Sequence, residues 1–345
     1  FVGERAIAVR TEAKERVIEG TVVVIDTGSE TIIPPVPGAD LSRVYTSTSI
    51  QQIERLPRRL VIVGGGPIAL EFSTLFSGFG TEVHIVDNSD RALRNFEPDV
   101  AAYAQGVLER RNINFHLNNT ATLFEKEADG IRVRLADGSV LEADAVLCAI
   151  GRKPATSTLD LGAAGIEVTP RGAVKVDEHL RTSAQGVWAA GDCAGTPMFT
   201  HASWSDFRII RAQLTGASLD DPTTTTKGRT IPYAVFATPE LARIGLSEGE
   251  AREAGLDVRI AKIPTAAIPR AKTMRYAGEG FWKAVVDANT HQILGATLIG
   301  PNVSEVITSV QVAMAGGLTY EQLRFLPVAH PTMGEGLQVL FDSLG

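Results

Sequence analysis

The chain has 345 residues, of which 44% are hydrophobic and 21% charged, and its formal net charge is −7 at pH 7. This length allows two or three domains with buried cores. Lysine and arginine are scattered, and no apolar run is long enough to span a membrane. We therefore expect no nucleic-acid and no membrane partner. The two cysteines lie in distant segments, which fits a reduced, cytoplasmic setting.

The first predicted elements are a short buried strand over residues 21–25 and an extended link over residues 32–38. Three prolines exclude a helix from the link. The chain opens at Phe1 without a methionine, and we expect it to begin inside a longer protein.

A glycine-rich turn follows a buried strand over residues 61–63 and opens a helix that we expect over residues 70–80. Gly64 permits a tight turn, Gly66 leaves space for a pyrophosphate, and Ala69 allows close packing of helix on strand. The N–H groups and the positive end of the helix dipole would face the phosphates. The sequence therefore predicts a dinucleotide site.

Asp87 ends the next predicted strand, Glu82–Val86, about 20 residues beyond the glycines. A carboxylate there can accept a hydrogen bond from a ribose hydroxyl, which favours NAD over NADP. Arg91 and Arg94 leave NADP open, because either could meet a 2′-phosphate; both could also lie in a solvated loop.

Further along the chain, residues 130–143 alternate around Asp137-Gly138 and predict a hairpin. A strand then runs into Gly191-Asp192, a helix is expected over residues 200–214, and residues 219–230 are predicted to be a linker. Cys148 and Cys193 are expected to be inert, buried thiols, and no metal site is predicted.

The last segment, residues 231–345, predicts a separate α+β domain. Strands are expected over residues 281–287 and 291–299, and an apolar helix over residues 303–316. Capping boxes are expected to open two further helices, with the pairs Ser247/Glu250 and Thr319/Gln322.

These motifs occur in a characteristic order: Thr27-Gly28-Ser29, the turn at residues 64–71, Gly151-Arg152-Lys153-Pro154, Ala190-Gly191-Asp192, and His330-Pro331-Thr332-x-x-Glu335. The whole chain resembles the pyridine nucleotide–disulfide oxidoreductases, a flavoprotein family that includes lipoamide dehydrogenase, glutathione reductase and mercuric reductase. Residues 199–210 and 231–236 are most similar to the mercuric-reductase-like branch that contains the reactive-chlorine-resistance flavoprotein.

The resemblance implies an α/β fold with two Rossmann-like nucleotide-binding domains, the first incomplete, and a C-terminal α+β dimerisation domain. The FAD-binding domain would comprise residues 1–45 and 156–225, the NAD(P)-binding domain residues 46–155, and the interface domain residues 231–345. The resemblance also implies a homodimer that uses FAD and NAD(P)H.

The resemblance assigns cofactor-binding roles to residues in several of these motifs. Asp192, after Gly191, would accept hydrogen bonds from the FAD ribityl chain. Glu71 would lie close to the nicotinamide. The remaining implied FAD or NAD(P) contacts are Thr27 and Gly28 on the adenine side of FAD, Gly151, and the helix start at His201 and Ala202 near the flavin pyrimidine edge.

His330 and Glu335 match the acid/base pair that each subunit of such enzymes contributes to its partner. A histidine can move a proton to and from a thiol near neutral pH, and a carboxylate can orient its ring. The alternative is structural: Thr332 and Glu335 have the spacing of a capping box, and Glu335 could be only a cap.

Two departures from the family pattern lead to two alternative predictions of function. The chain has one nucleotide fingerprint where the family has two, and no C-x-x-x-x-C redox pair. An N-terminal truncation is expected. The chain is then either part of an NAD(P)H-dependent flavoprotein oxidoreductase, or an inactive module that binds NAD(P) and dimerises. Lipoamide, glutathione and related disulfides, hypohalous-type oxidants and direct transhydrogenation all remain open, whereas the lack of the C-terminal cysteine pair of mercuric reductases argues against mercuric ion as the acceptor.

Overall fold

The computed structural model describes residues 1–12, 14–276 and 279–345. The strands are β1 (Ala6–Arg10), β2 (Glu15–Glu19), β3 (Val23–Ile25), β4 (Ser29–Thr31), β5 (Val44–Thr46), β6 (Arg59–Val63), β7 (Glu82–Val86), β8 (Ile113–His116), β9 (Ala121–Lys126), β10 (Ile131–Leu135), β11 (Val140–Ala143), β12 (Ala145–Cys148), β13 (Arg152–Pro154), β14 (Val187–Ala189), β15 (Tyr233–Val235), β16 (Glu240–Gly245), β17 (Val258–Pro264), β18 (Phe281–Asp287) and β19 (Ile293–Gly300). The α-helices are α1 (Pro67–Gly78), α2 (Pro98–Glu109), α3 (Thr200–Leu214), α4 (Glu248–Glu253), α5 (Pro269–Thr273), α6 (Val303–Ala315), α7 (Tyr320–Arg324) and α8 (Gly336–Asp342).

The chain divides into two compact units, each made of two separate stretches of sequence. The first unit comprises Phe1–Ile32 and Gly151–Ile231, and the second comprises Ile33–Ile150 and Pro232–Gly345. The three-domain division expected from the sequence stays a prediction; within the second unit, the stretches around the glycine turn and the C-terminal α+β stretch share one contact network.

The core of the second unit's first stretch is a parallel sheet in the order β5-β12-β6-β7-β8. Its central strands are almost entirely apolar; Leu60, Val61 and Ile62 of β6 are fully buried. Such continuous runs are typical of a sheet covered on both faces. The antiparallel meander β11-β10-β9 contains the predicted hairpin.

The second stretch of this unit forms an antiparallel sheet in the order β15-β16-β19-β18-β17. Helix α6 packs its apolar side, including Val306, Ile307 and Val310, into the core of this sheet. Both predicted capping boxes are present, at the starts of α4 and α7. The predicted α+β architecture is confirmed.

A buried lysine joins the two stretches of the second unit. Lys283, on β18, is 5% exposed, and its Nζ lies 2.9 Å from Glu97 Oε1 and 2.9 Å from Glu248 Oε2. Glu97 immediately precedes α2, whereas Glu248 begins α4. A buried ammonium group requires such partners because its transfer out of water is costly.

The first unit is built around the parallel pair β14–β3, the antiparallel pairs β1–β2 and β13–β4, and helix α3. Residues 219–230, predicted as a linker, include a 3₁₀ turn at Pro222–Thr224, and the side chain of Thr224 is fully buried. This segment therefore packs as part of the unit. No helix in the described part of the chain is long and apolar enough to cross a membrane.

Candidate functional site

The first glycine turn lies between β6 and α1, at the carboxyl edge of the parallel sheet. Gly64 has φ of +109°, and a Cβ there would lie 2.4 Å from the carbonyl oxygen of Ala149. A Cβ on Gly66 would meet nothing within 4 Å. Gly64 is therefore required by the fold, whereas the open space above Gly66 fits a bound pyrophosphate.

Helix α1 begins at Pro67, three residues before the predicted start, and Gly66 is its N-cap without a side-chain capping bond. Pro at the first helical position is favourable because its missing N–H would be unpaired there anyway. Ala69 is fully buried, as expected for a position that needs close packing. The first turn of α1 contains no acidic residue that would repel a phosphate.

Asp87 lies at the end of β7 and holds the loop around the glycine turn. Its Oδ2 accepts a hydrogen bond from Gly65 N at 2.5 Å, and its Oδ1 accepts one from Ser89 N at 2.7 Å. The predicted ribose contact stays a prediction. The same carboxylate has a structural task that the sequence did not indicate.

Glu71, one turn into α1, points toward the start of the antiparallel sheet. Its Oε1 accepts a hydrogen bond from Phe236 N at 2.9 Å. Burial raises the pKa of Glu71 above its ordinary value, although the hydrogen bond from Phe236 opposes this shift. Burial, with a contribution from Glu71, also raises the pKa of Tyr233 to about 12.

The second glycine turn follows β14 in the first unit and is held by a buried carboxylate from α3. Asp206 is fully buried. Its Oδ2 accepts hydrogen bonds from Gly191 N at 2.8 Å and from Thr196 Oγ1 at 2.7 Å, while its Oδ1 pairs with Arg229 Nη1 at 2.6 Å. Asp206 thereby fixes the backbone that presents Asp192.

Asp192 is half-buried and is approached from β4 and β13. The Ser29 hydroxyl donates to Asp192 Oδ2, and the Arg152 guanidinium donates through Nε to Ser29 Oγ at 2.8 Å and through Nη2 to the Ser29 carbonyl at 2.7 Å. The Arg152–Ser29–Asp192 chain orients a carboxylate that could accept hydrogen bonds from ligand hydroxyl groups.

The other residues assigned to the FAD site also lie in the first unit. Thr27 is exposed and Gly28 is half-buried, and a Cβ on Gly28 would meet nothing within 4 Å. Gly151, with φ of +130°, accepts a hydrogen bond from Ile32 N at 3.0 Å. In the first turn of α3, His201 is exposed and stacks on Phe199, with 5.2 Å between ring centroids, whereas Ala202 is fully buried.

His330 and Glu335 are in direct contact in the second unit. His330 Nδ1 lies 3.0 Å from Glu335 Oε1 and 3.1 Å from Oε2. Two-thirds of the His330 side chain is exposed, against 17% of that of Glu335. Part of the capping alternative is present, because Thr332 Oγ1 accepts a hydrogen bond from Glu335 N at 3.3 Å. The Glu335 carboxylate itself contacts His330, and α8 begins at Gly336 without a side-chain capping bond.

Both cysteines are fully buried. Burial raises the pKa of the Cys148 thiol to about 11, so little thiolate is present near neutral pH. The Cys193 thiol contacts the carbonyl oxygens of Ile25 and Ala190. Neither thiol is placed to exchange with a substrate disulfide.

Sequence reasoning missed three residues that support these turns: Ser29, Arg152 and Asp206. Ser29 and Arg152 stood inside quoted motifs, directly after Gly28 and Gly151, but their contact joins residues far apart in sequence. Asp206 carried a local signal, because it falls at helical spacing among the buried residues Ala202, Ile209 and Ile210.

Comparison with known proteins gives one consistent result. The family model described as pyridine nucleotide-disulphide oxidoreductase matches residues 2–206, and its dimerisation-domain model matches residues 231–340. The chain belongs to the pyridine nucleotide–disulfide oxidoreductase family. It is 36% identical over 343 residues to the probable pyridine nucleotide-disulfide oxidoreductase RclA of Escherichia coli K12, covering 99% of this chain and 77% of that protein.

Other members of the family are nearly as similar. The dihydrolipoyl dehydrogenase of Bacillus subtilis is 33% identical over 97% of this chain and 71% of that protein. The mercuric reductase of Bacillus cereus is 31% identical over 98% of this chain but only 53% of that protein. The solved structure of the HOCl-induced flavoprotein disulfide reductase RclA from Escherichia coli superposes with a TM-score of 0.93 at 36% identity, covering all of this chain and 78% of that one.

Family membership confirms the predicted fold class, the oxidoreductase class and the use of FAD and NAD(P)H by the relatives. The residues present fit both cofactors: the space above Gly66 suits a pyrophosphate, and the oriented carboxylate of Asp192 suits ligand hydroxyl groups. The individual residue roles in binding stay predictions.

Proposed function

We propose that this chain is part of an oxidoreductase that passes electrons from NAD(P)H through FAD to a disulfide or another thiol-reactive, oxidised substrate. FAD, when bound, supplies the electron transfer between the nicotinamide and the acceptor. The observation that supports acid/base chemistry at the acceptor is the contact between His330 and Glu335 at 3.0 Å. The relatives named as disulfide reductases and dihydrolipoyl dehydrogenases favour a disulfide as acceptor.

The histidine has the geometry of an oriented proton carrier. With Nδ1 donating to the Glu335 carboxylate, Nε2 carries the free lone pair and can accept a proton from a thiol and return it. Glu335 fixes the ring and stabilises the protonated form, as the carboxylate does in nucleophile–base–acid triads. We assign His330 the proton transfer and Glu335 the orientation of its ring.

We further propose that the pair acts in the partner subunit of a homodimer. The family's dimerisation-domain model covers residues 231–340, which include both side chains. Large apolar side chains in this stretch are exposed in the single chain: Val312 at 64% and Phe325 at 75%. Burial of such side chains against a second copy of the chain would remove this apolar surface from water.

A variant series in the full-length protein tests the acid/base assignment. We expect His330→Ala to lower NADH-dependent disulfide reduction by about 10²- to 10⁴-fold, the usual contribution of a positioned acid or base. Reduction of the flavin by NADH, followed by stopped-flow absorbance, should be unchanged. Glu335→Gln, which keeps the size of the side chain, should produce a smaller loss. Full disulfide reductase activity in His330→Ala would refute the assignment.

An absorbance scan of the purified chain separates this proposal from the alternative of an inactive module. A flavin absorbance band at about 450 nm supports the oxidoreductase. Absence of the band together with retained NAD binding supports a module that binds NAD(P) and dimerises without turnover.

A further inference from the structure

An open groove in the first unit lies between the outer side of α3 and residues 222–229. Its volume is about 580 Å³, within the range of small-molecule sites. Ser205, Arg208 and Ala212 of α3 line it, together with Thr215, which directly follows that helix. None of the residues that line the groove is assigned a cofactor-binding or acid/base role above.

The groove is strongly cationic. Arg208 and Arg211 project from α3, and Lys227 and Arg229 from the opposite wall. No carboxylate lines it among the described residues. Arg229 pairs with the buried Asp206 at 2.6 Å, whereas the other three cations have no carboxylate within 4.0 Å in the described part of the chain.

This arrangement is unusual in a protein with a net charge of −7. In the second unit, arginines are commonly paired with carboxylates, as in Arg59–Glu142 at 2.6 Å and Arg111–Glu279 at 2.7 Å. Three unpaired cations in one groove repel each other, and this repulsion is relieved when an anion binds between them.

We propose that this groove is a binding site for a ligand with a diphosphate group. At about −1.5 charges per phosphate group, a diphosphate carries about three negative charges and matches the three unpaired cations. Arg208 and Arg211 are three residues apart on α3, so their guanidinium groups can lie side by side and bind neighbouring phosphate oxygens. Lys227 closes the groove from the other wall as a point charge.

Arg229 lines the groove and also supports the second glycine turn. Its pairing with Asp206 connects the groove to Gly191 N, which Asp206 also binds. A substitution of Arg229 would disturb both features, so the binding test uses Arg208, Arg211 and Lys227, which are exposed and not part of that support.

The test is calorimetric titration of inorganic pyrophosphate into the full chain at low salt, with NAD⁺ at saturating concentration to exclude pyrophosphate from the turn at Gly66. We expect saturable binding at one site, and binding at least about ten-fold weaker in the double variant Arg208→Ser/Arg211→Ser. Lys227→Ser should weaken binding less. Arg171→Ser is the matched control, an exposed and unpaired arginine of the same unit outside the groove, and it should bind as the unsubstituted chain does.

A parallel titration with ADP distinguishes the two sources of the diphosphate group. Tighter binding of ADP than of pyrophosphate identifies a nucleotide ligand, and equal affinity identifies a site that recognises the diphosphate alone. The proposal is overturned if pyrophosphate gives no saturable heat, or if the double variant, with an unchanged melting temperature, binds it as strongly as the unsubstituted chain.

Discussion

The two glycine turns of this protein are similar in local structure, but the roles of their aspartate side chains differ. Each turn follows a short buried strand, and in each an aspartate from another element accepts a hydrogen bond from a backbone N–H of the turn. At the first turn this aspartate is Asp87, the residue expected to contact the nucleotide. At the second turn Asp206 holds the backbone, and Asp192 is the residue proposed to contact the ligand.

At turns of similar shape, one carboxylate can hold the backbone and also bind the ligand, or two carboxylates can take one role each. Where one carboxylate does both, a substitution cannot affect one without the other. Where two carboxylates share the tasks, ligand binding can be removed while the fold is retained. The predictions below test this distinction, beginning with the largest expected effect.

The largest effect is expected for Asp206→Ala. The change leaves the Arg229 guanidinium without its carboxylate partner and Gly191 N without its acceptor. Breaking a buried ion pair from one side costs about 3–5 kcal/mol. Urea unfolding should show this loss, and hydrogen exchange at Gly191 should accelerate. Asp192→Asn is the contrast: FAD content should fall while the urea midpoint stays nearly unchanged. Equal stability losses in the two variants would remove the proposed division.

Gly64→Ala and Gly66→Ala form a matched pair at the first turn. At Gly64 the added methyl group clashes with the Ala149 carbonyl, and the backbone has a left-handed φ, so we expect a loss of about 1–3 kcal/mol. At Gly66 the methyl group enters open space, so stability should change by less than about 0.5 kcal/mol. NADH titration should nevertheless show weaker binding in Gly66→Ala. Unchanged NADH affinity would argue against a pyrophosphate at this position.

Asp87→Asn tests whether this carboxylate both holds the loop and contacts the nucleotide. The amide oxygen can replace only one of the two carboxylate acceptors for Gly65 N and Ser89 N. A lost hydrogen bond to a charged group costs about 1.5–3 kcal/mol, and partial compensation places the expected loss at the lower end. Thermal unfolding and NADH titration should both report a defect. A variant that loses NADH affinity but no stability would show that the loop does not depend on this carboxylate.

The smallest effect is expected for Glu71→Gln, measured as a function of pH. Because burial raises the pKa of Glu71, this carboxylate costs stability as the pH rises from its ordinary value near 4.5 through its raised value. Glutamine keeps an acceptor for Phe236 N and cannot ionise. The melting temperatures of the two proteins should therefore agree at low pH, and the variant should become slightly more stable near neutral pH. A constant difference at all pH values would contradict this origin.

Much of the secondary structure was predictable because it depends on local signals. The bounds of β7 and α3 agree with the sequence predictions, since an apolar alternating run and a clear helical period mark them. The start of α1 was placed three residues late, because the glycine turn leads directly into Pro67. The hairpin around Asp137-Gly138 was confirmed through its turn residues.

The support of the candidate site was less predictable because it depends on contacts between distant parts of the chain. Ser29 and Arg152 meet only when β4 pairs with β13. The spacing of Thr332 and Glu335 allowed both a capping bond and a partner for His330. Both contacts form in the fold: the Thr332 hydroxyl accepts from Glu335 N, and the Glu335 carboxylate contacts His330. Lys283 stood in a predicted apolar strand with no local sign that Glu97 and Glu248 surround it.

The buried cluster at Lys283 has a consequence for protein engineering. Its acidic partners come from both stretches of the second unit, Glu97 from the first and Glu248 from the second. A chimera that exchanges only residues 232–345 with a relative would bring a new residue opposite Glu97, and an exchange of residues 33–150 would remove that partner from Lys283. A chimera that keeps this cluster must therefore take positions 97 and 283 from the same parent. A crossover at the boundary between the two family models, which match residues 2–206 and 231–340, would separate them.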